Sequence, residues 1–291
     1  MCTFKRPALL AGLLRELVQQ ASDWRFTYSI VVVDNDSQES ARETVDLLQR
    51  LNPGAIEYFV EAEQNIALAR NRAVAHASGD FVALIDDDEI PSDGWLLRMH
   101  AALIKYGADG VLGPVKPRFE IRPPQWVTKS CLFQRPCHET GHVLDWTQTR
   151  TGNALIRRPV LNEVAGPFNQ NFGSGGEDLD FFRRAIHLGK VFVWCNEATV
   201  YEIVSEERTR LSFQLRRALL RGKASLANPS CQASEILKSL AACVSYTILL
   251  PVFLLMGWHV FIKYLIKDFD HIGKLLAFCG IDVIKEKYVL N

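Results

Sequence analysis

Phe81-Val82-Ala83-Leu84-Ile85-Asp86-Asp87-Asp88 is the stretch that decides the fold. Five apolar residues after the Ser78-Gly79-Asp80 turn have the length and composition of a buried strand. The strand stops on three carboxylates, so its C-terminal end is polar. In an open α/β sheet that edge is where ligands bind. Upstream, Tyr28 to Val33 is a second buried-strand run and ends on Asp34-Asn35-Asp36-Ser37. Ser40 and Glu43 have capping-box spacing and predict a helix through about Leu51. Ile56 to Val60 predicts a strand, and Ile66 to Ala77 a helix. Downstream, Trp95 to Tyr106 predicts a helix and Gly110 to Val115 a strand. Asn153 to Ile156 continues the regular structure, and a helix runs from Glu177 to Gly189, whose missing Cβ suits a C-cap. The alternation predicts an α/β domain with a mostly parallel sheet flanked by helices. Residues 116–150, rich in aromatics, prolines and histidines, predict a long functional loop.

Composition narrows the partners. The 33 basic residues balance the 33 acidic ones without a basic arm or face, which excludes a nucleic-acid partner held through phosphates. Seven scattered cysteines, an odd number, predict free thiols in a reducing compartment. The first residues, Met1-Cys2-Thr3-Phe4-Lys5-Arg6-Pro7, contain no apolar signal-peptide core, so the folded part is expected in the cytoplasm. From Ser239 to Ile262 no Asp, Glu, Lys or Arg occurs. A run of that length is enough for a bilayer-spanning helix. A buried core helix, or an interfacial hairpin with the run Ile272 to Ile284, fits it too. Lysines on both sides give no orientation. The expected division is 1–225 for the α/β domain and 226–291 for a C-terminal hydrophobic, membrane-associated helical segment.

Three clusters carry chemistry. Adjacent carboxylates repel unless a cation sits among them, and hard divalent cations prefer oxygen ligands, so Asp86 and Asp88 are candidate ligands for Mg²⁺ or Mn²⁺ holding a diphosphate. Asp34, at the same sheet edge, is a candidate for base or ribose recognition. Its bland alternative is a polar strand-to-helix loop. Gly173-Ser174-Gly175-Gly176-Glu177-Asp178 places carboxylates after a glycine-rich loop, as a general base beside an acceptor hydroxyl would need. Dipole-matched helix caps are the simpler account of Glu177 and Asp178. Arg70 is either a surface charge or a nucleotide partner. Cys131, Cys137, His138 and His142 do not match the common structural zinc spacings.

As an ordered set, Cys2 to Pro7, Val33 to Ser37, Arg70-Asn71, Leu84 to Glu89, Thr151-Gly152-Asn153 and Gly176-Glu177-Asp178 resemble family 2 glycosyltransferases of the GT-A fold, over roughly residues 1–225. The similarity is greatest to bacterial members that build exopolysaccharide or other surface glycans. The resemblance implies an inverting enzyme that transfers a sugar from a nucleotide-diphosphate sugar, usually a UDP-sugar, to a glycan or lipid-linked hydroxyl at the cytoplasmic face of the inner membrane. It implies Thr3, Phe4, Arg6, Asp34, Arg70 and Asp87 as nucleotide-binding, and Asp86 and Asp88 as metal-binding. It implies Asp178 as catalytic base, with Glu177 and Asn153 contacting the acceptor. Arg208 to Ala224 resembles the basic helix that follows the catalytic core, a candidate for donor or lipid phosphates or a plain solvated helix. Family members begin with an apolar strand ahead of the Thr-Phe-Lys-Arg loop, which here opens the chain, so a misplaced or truncated start is expected. The competing expectation is a catalytically silent, membrane-attached protein of the same fold. A nucleotidyltransferase would need an N-terminal glycine-rich loop, and no glycine occurs before Gly12.

Overall fold

The strand at 81–85 forms as its composition dictates, and the elements around it follow from local patterns of the same kind. A computed structural model describes residues 1–173, 175–226 and 233–284. Strands are β1 (Cys2–Thr3), β2 (Ile30–Asp34), β3 (Ile56–Val60), β4 (Phe81–Ile85), β5 (Glu89–Pro91), β6 (Gly110–Leu112), β7 (Val115–Phe119), β8 (Asn153–Arg157), β9 (Phe192–Trp194) and β10 (Val200–Val204). Helices of the first half are α1 (Pro7–Leu17), α2 (Arg42–Leu51), α3 (Ile66–His76), α4 (Trp95–Tyr106) and α5 (Gln125–Ser130). Those of the second are α6 (Arg158–Glu163), α7 (Glu177–His187), α8 (Leu211–Ser225), α9 (Ala233–Met256) and α10 (Trp258–Phe278).

These elements build two compact units. The first comprises Met1–Arg118, Arg135–Gly173 and Glu177–Ile203. The second comprises Phe119–Gln134, Gly175 and Gly176, and the described residues from Val204 onward.

In the first unit β1, β2 and β3 are parallel, with Thr3 opposite Asp34 and Asp34 opposite Val60. A second sheet has the order β4-β8-β6-β9. The fold class is the α/β arrangement expected, but the pairing is mixed rather than mostly parallel. β8 runs antiparallel to both β4 and β6, and only β6–β9 is parallel in that sheet. The reason is topological: β8 returns from the long 116–150 region instead of through a helical crossover, so no right-handed β-α-β connection fixes its direction. That region, expected as loop, contains most of β7, all of α5 and a short 3-10 turn at Trp146–Gln148.

Helix α1 was not visible as an element in the pattern, yet Pro7 starts it and Leu10, Leu13, Leu14 and Leu17 form one fully covered stripe. Each such leucine contributes about 1.5–3 kcal/mol on burial. The stripe joins Ile30, Val32, Trp95, Met99 and Leu103 in one core. The expected capping box at α2 does not form. Ser40 Oγ has no hydrogen-bond partner among the described residues, and Ala41 is the N-cap without a side-chain cap. Asp34 supplies the oxygen instead, accepting from the Ala41 N–H at 2.8 Å. Gly189, at φ 82°, follows α7 as expected.

In the second unit, the uncharged Ser239–Ile262 run is not one helix. It breaks at Gly257, where φ of 128° suits only glycine, and its last residues belong to α10. Pro251 lies inside α9 without ending it. Within this unit α10 packs on both α8 and α9, and Ala218, Ile262 and Ile266 form its core.

Candidate active site

Lys5 adopts a left-handed backbone at φ 55°, and this bend carries the chain from β1 into α1. Thr3 and Arg6, on either side of it, both reach the triple aspartate. Thr3 Oγ1 donates to Asp87 Oδ2 at 2.7 Å, and Arg6 lies 3.3 Å from Asp87 and 3.5 Å from Asp88. From α3, Arg70 donates to Asp86 Oδ1 at 3.0 Å and pairs with Glu177 at the start of α7. Three sequence-predicted segments are thereby tied to one strand end: Thr3 and Arg6, which lie 84 and 82 residues from their aspartates, Arg70, and through Arg70 the start of α7.

The three aspartates are not equivalent. Asp86 keeps 44% of its side chain exposed, against 8% for Asp87 and 12% for Asp88. Asp86 is the most exposed carboxylate of the three, and Asp87 is the one that organises the loop. Burial pushes the Asp87 carboxyl up, and the Arg6 charge and the Thr3 hydroxyl oppose it. Behind them lies Glu89, a residue that sequence reasoning quoted without giving it a role. Its Oε2 accepts from the Asp86 N–H at 3.1 Å, and burial, then the charges of Asp86 and Asp88, drive its carboxyl well above the usual range. Glu89 stands directly opposite Glu202 across the β5–β10 pair. Arg135 relieves the acidic concentration, pairing with Glu202 at 2.8 Å. The Ile203 N–H donates to the Asp88 carbonyl at 2.7 Å, which fixes the aspartate loop from the other side. Arg135 was missed because nothing local marks it; only its pairing with Glu202, distant in sequence, reveals it.

Gly152 packs directly against the Glu89 and Asp86 carboxylates. A Cβ there would stand 2.5 Å from Glu89 Oε1 and 3.2 Å from Asp86 Oδ2, so only glycine leaves the carboxylates their room. This cradle and its hard oxygen donors fit a small divalent cation at Asp86 and Asp88. Among the described residues no group of three or more His, Cys, Asp or Glu is placed to hold a metal. A cation held at these two carboxylates would need the rest of its shell from other ligands, such as phosphate and water oxygens, which Mg²⁺ commonly uses. His138 and His142 stack on each other at 4.6 Å.

Asp34 is fully buried and accepts from the N–H groups of Asp36 and Ala41 and from the Tyr58 hydroxyl. Burial pushes its carboxyl up, against those three bonds. Beside it Asn35 donates to the Glu61 and Glu63 carbonyls and accepts from the Asn65 N–H, while Asn65 caps α3. Asn35 and Asn65 are structural members of the site that the sequence left without a role. Asn153, expected to touch the acceptor, is buried with its amide spent. It accepts from Trp95 Nε1 at 2.8 Å and donates to the Pro114 and Ala198 carbonyls. Its side chain braces the interior because β8 is a central strand there. Phe4 is half-buried, with the Lys5 ammonium 5.2 Å from its ring centroid.

The two candidate carboxylates of α7 also separate. Glu177 is buried against Arg70, whereas Asp178 is half-buried and accepts only its neighbour Leu179's N–H among the bonds described.

With this geometry in place, the comparisons are specific. Residues 1–164 match the family described as Glycosyl transferase family 2. The chain belongs to glycosyltransferase family 2. Within that family it is 35% identical over 227 residues to the succinoglycan biosynthesis protein ExoM of Rhizobium meliloti (strain 1021), covering 77% of this chain and 72% of that protein. It is 26% identical over 224 residues to the hyaluronan synthase of Pasteurella multocida, covering 65% of this chain but 22% of that protein. Among solved structures, residues 1–349 of S. aureus TarS in complex with UDP superpose with a TM-score of 0.55 at 17% identity, covering 98% of this chain and 93% of that one. GalNAc-T7 with UDP, GalNAc and Mn²⁺ gives 0.51 at 15% identity, covering 67% and 40%. At those identities the structural likeness establishes the family 2 chain's GT-A fold.

Proposed function

We propose that this family 2 glycosyltransferase transfers a sugar, with inversion, from a UDP-sugar to a hydroxyl of a glycan or lipid-linked acceptor in surface polysaccharide synthesis. The observation that carries the proposal is the convergence of Thr3, Arg6 and Arg70 on Asp86-Asp87-Asp88, with Asp178 on the helix that Arg70 anchors. The names of relatives that make succinoglycan and hyaluronan support a polysaccharide product, and solved neighbours with UDP and UDP-GlcNAc support the donor class.

In this proposal Thr3, Phe4, Arg6, Asp34, Arg70 and Asp87 form the nucleotide side. Thr3, Arg6 and Arg70 act directly or by setting the aspartates, and Asp34 by fixing the loop after β2. Asp86 and Asp88 would hold Mg²⁺ or Mn²⁺, and the cation would supply charge neutralisation at the leaving group. Asp178 accepts the proton of the acceptor hydroxyl, whose oxygen bonds to the sugar C1 as the C1–O bond to the diphosphate breaks. Glu177 holds Arg70 and orients the helix start. The helix N-terminus favours the ionised form that a base needs before it takes a proton. Residues 1–225 carry the chemistry, and residues 226–291 attach the enzyme to the cytoplasmic face of the inner membrane.

The test is nucleoside diphosphate release from a panel of sugar nucleotides with Mg²⁺ or Mn²⁺ and membrane-extracted acceptors. Release from a UDP-sugar that Asp178→Asn abolishes supports the proposal. Absence of release and of binding for every UDP-sugar overturns it.

A further inference from the structure

Helix α9 has 24 residues and would be about 36 Å long, enough to cross a bilayer. Its surroundings in the second unit argue for a different placement. α9 turns at Gly257 directly into α10, which runs back along it. Phe253 stacks on Tyr264 at 4.0 Å, Thr247 Oγ1 donates to Asp268 Oδ2 at 3.1 Å, and Tyr246 lies near His271. The two helices are antiparallel over most of their length.

α10 is charged throughout: Lys263, Lys267, Asp268, Asp270 and Lys274. Asp268 is buried against Thr247, close to the midpoint of α9. On its other side α10 is locked to α8, where Arg221 forms a two-pronged pair with Asp270 at 3.0 Å for each contact. If α9 crossed the bilayer, Asp268 would lie at the depth of the hydrocarbon centre, and the Asp270–Arg221 pair with it. Charged side chains at that depth oppose insertion strongly.

The apolar surface lies elsewhere. Leu237, Leu240, Val244, Ile248, Val252 and Leu255 recur at helical spacing and form one stripe, with Ile248 68% and Leu255 89% exposed. By the helical period, this stripe is on the face of α9 opposite Tyr246 and Phe253, which touch α10. The faces of α10 that meet α8 and α9 are likewise opposite each other. The order is therefore α8, α10, α9, with the bare stripe outermost and the charged helix one helix-spacing, about 8–10 Å, behind it. Exposed Lys238 and the exposed Trp258 lie near the two ends of the stripe, and α10 behind it carries the exposed Lys263 and Lys267. Cations and an indole beside an apolar face suit the headgroup region of an anionic lipid surface.

We infer that α9 lies in the plane of an anionic bilayer, with the 237–255 stripe dipping into one leaflet and α10 outside it, rather than crossing the membrane. The occupant of this surface is lipid, and the inference rests on the membrane attachment proposed above.

The test uses the full chain in cells, with Lys238→Cys and Lys263→Cys made separately. These positions flank opposite ends of α9. A membrane-impermeant maleimide is applied to sealed inverted inner-membrane vesicles and to spheroplasts, and modification is read peptide by peptide by mass spectrometry, so the native cysteines remain. Both introduced thiols should react in inverted vesicles and neither in spheroplasts. Reaction of the two from opposite sides means that α9 spans, and overturns the inference while leaving membrane attachment intact. A chain that does not sediment with the vesicles overturns attachment itself. Val244→Glu with Ile248→Glu should cut the fraction floating with phosphatidylcholine–phosphatidylglycerol vesicles at least about tenfold, with an unchanged circular-dichroism melt and unchanged UDP release. If the double variant instead converts a dimer into monomers and floats as before, the stripe binds a second copy and the inference falls.

Discussion

Arg70 is paired with Glu177 across 107 positions of sequence, and this pair fixes the start of α7 to the end of β4 through Asp86. The consequence is a division of labour between adjacent carboxylates. Glu177 is consumed in holding a guanidinium, whereas Asp178, the next residue, stays half-buried and accepts only the Leu179 N–H among the bonds described, which is why the proposal gives it the role of base.

Asp178→Asn should therefore lose about 10²–10⁴-fold in transfer rate, with UDP-sugar binding by calorimetry unchanged. Glu177→Gln should act on stability as well as on donor affinity. Removing one member of a buried pair costs about 3 kcal/mol or more, and the lower end is expected because Arg70 keeps Asp86. Its melting temperature should fall clearly, whereas that of Asp178→Asn should hardly move. A dead Glu177→Gln beside a near-normal Asp178→Asn would reverse the two roles.

If Asp86 and Asp88 hold the cation as proposed, chelation should stop turnover and Asp88→Asn should nearly do so, and two carboxylates alone would be too few to retain the cation without the diphosphate. The melting temperature without donor should be the same with and without chelator. Full UDP release in excess chelator would remove the metal from the proposal.

Gly152→Ala should damage the site from beneath. The added methyl meets Glu89 and Asp86, and relieving it moves the carboxylates. A loss of about 1–3 kcal/mol is expected from overpacking, with a raised donor KM. Normal donor KM in a destabilised Gly152→Ala variant would detach Gly152 from the site.

His100 gives a pH signature. It lies between Phe26 and Phe81, and burial, with the charges of Arg25 and Arg157, lowers its imidazole from the ordinary 6.5. Between 6.5 and the lower folded value, the unfolded chain binds a proton that the folded chain does not. Its contribution is therefore complete above that window and declines as pH falls through it. His100→Phe should flatten the fall in urea-melt stability between neutral pH and about pH 5. An unchanged slope would mean that other groups carry the acid sensitivity.

What the sequence made legible was local. The strands at 56–60 and 81–85 and the helix at 95–106 follow from runs and periods that each segment contains by itself. The triple aspartate announced the site because its chemistry is concentrated in three consecutive positions. The β5–β10 pairing and the Arg135–Glu202 contact depend on residues brought together across the chain, and no period encodes them. Ser40 had the right spacing for a cap, but the side-chain oxygen at the helix entry comes from Asp34, which accepts the Ala41 N–H from a strand end already held in place. Asn153 was expected at the acceptor through the family resemblance of Thr151-Gly152-Asn153, and its three bonds to the interior become visible only when Trp95, Pro114 and Ala198 surround it. Gly257 divides the uncharged C-terminal run, a break that hydropathy does not register because glycine is nearly neutral on such scales.

The seat of α10 on α8 is made where two glycines let backbones touch. A Cβ on Gly222 would collide with the Asp270 carbonyl, and one on Gly273 with the Leu219 carbonyl. For anyone diversifying this chain, intolerance in the helical hairpin should be concentrated at two codons rather than spread over its length. A library that spares Gly222 and Gly273 can vary the exposed 237–255 stripe widely among apolar residues. One that randomises either glycine is expected to return mostly chains whose hairpin has come away from its support.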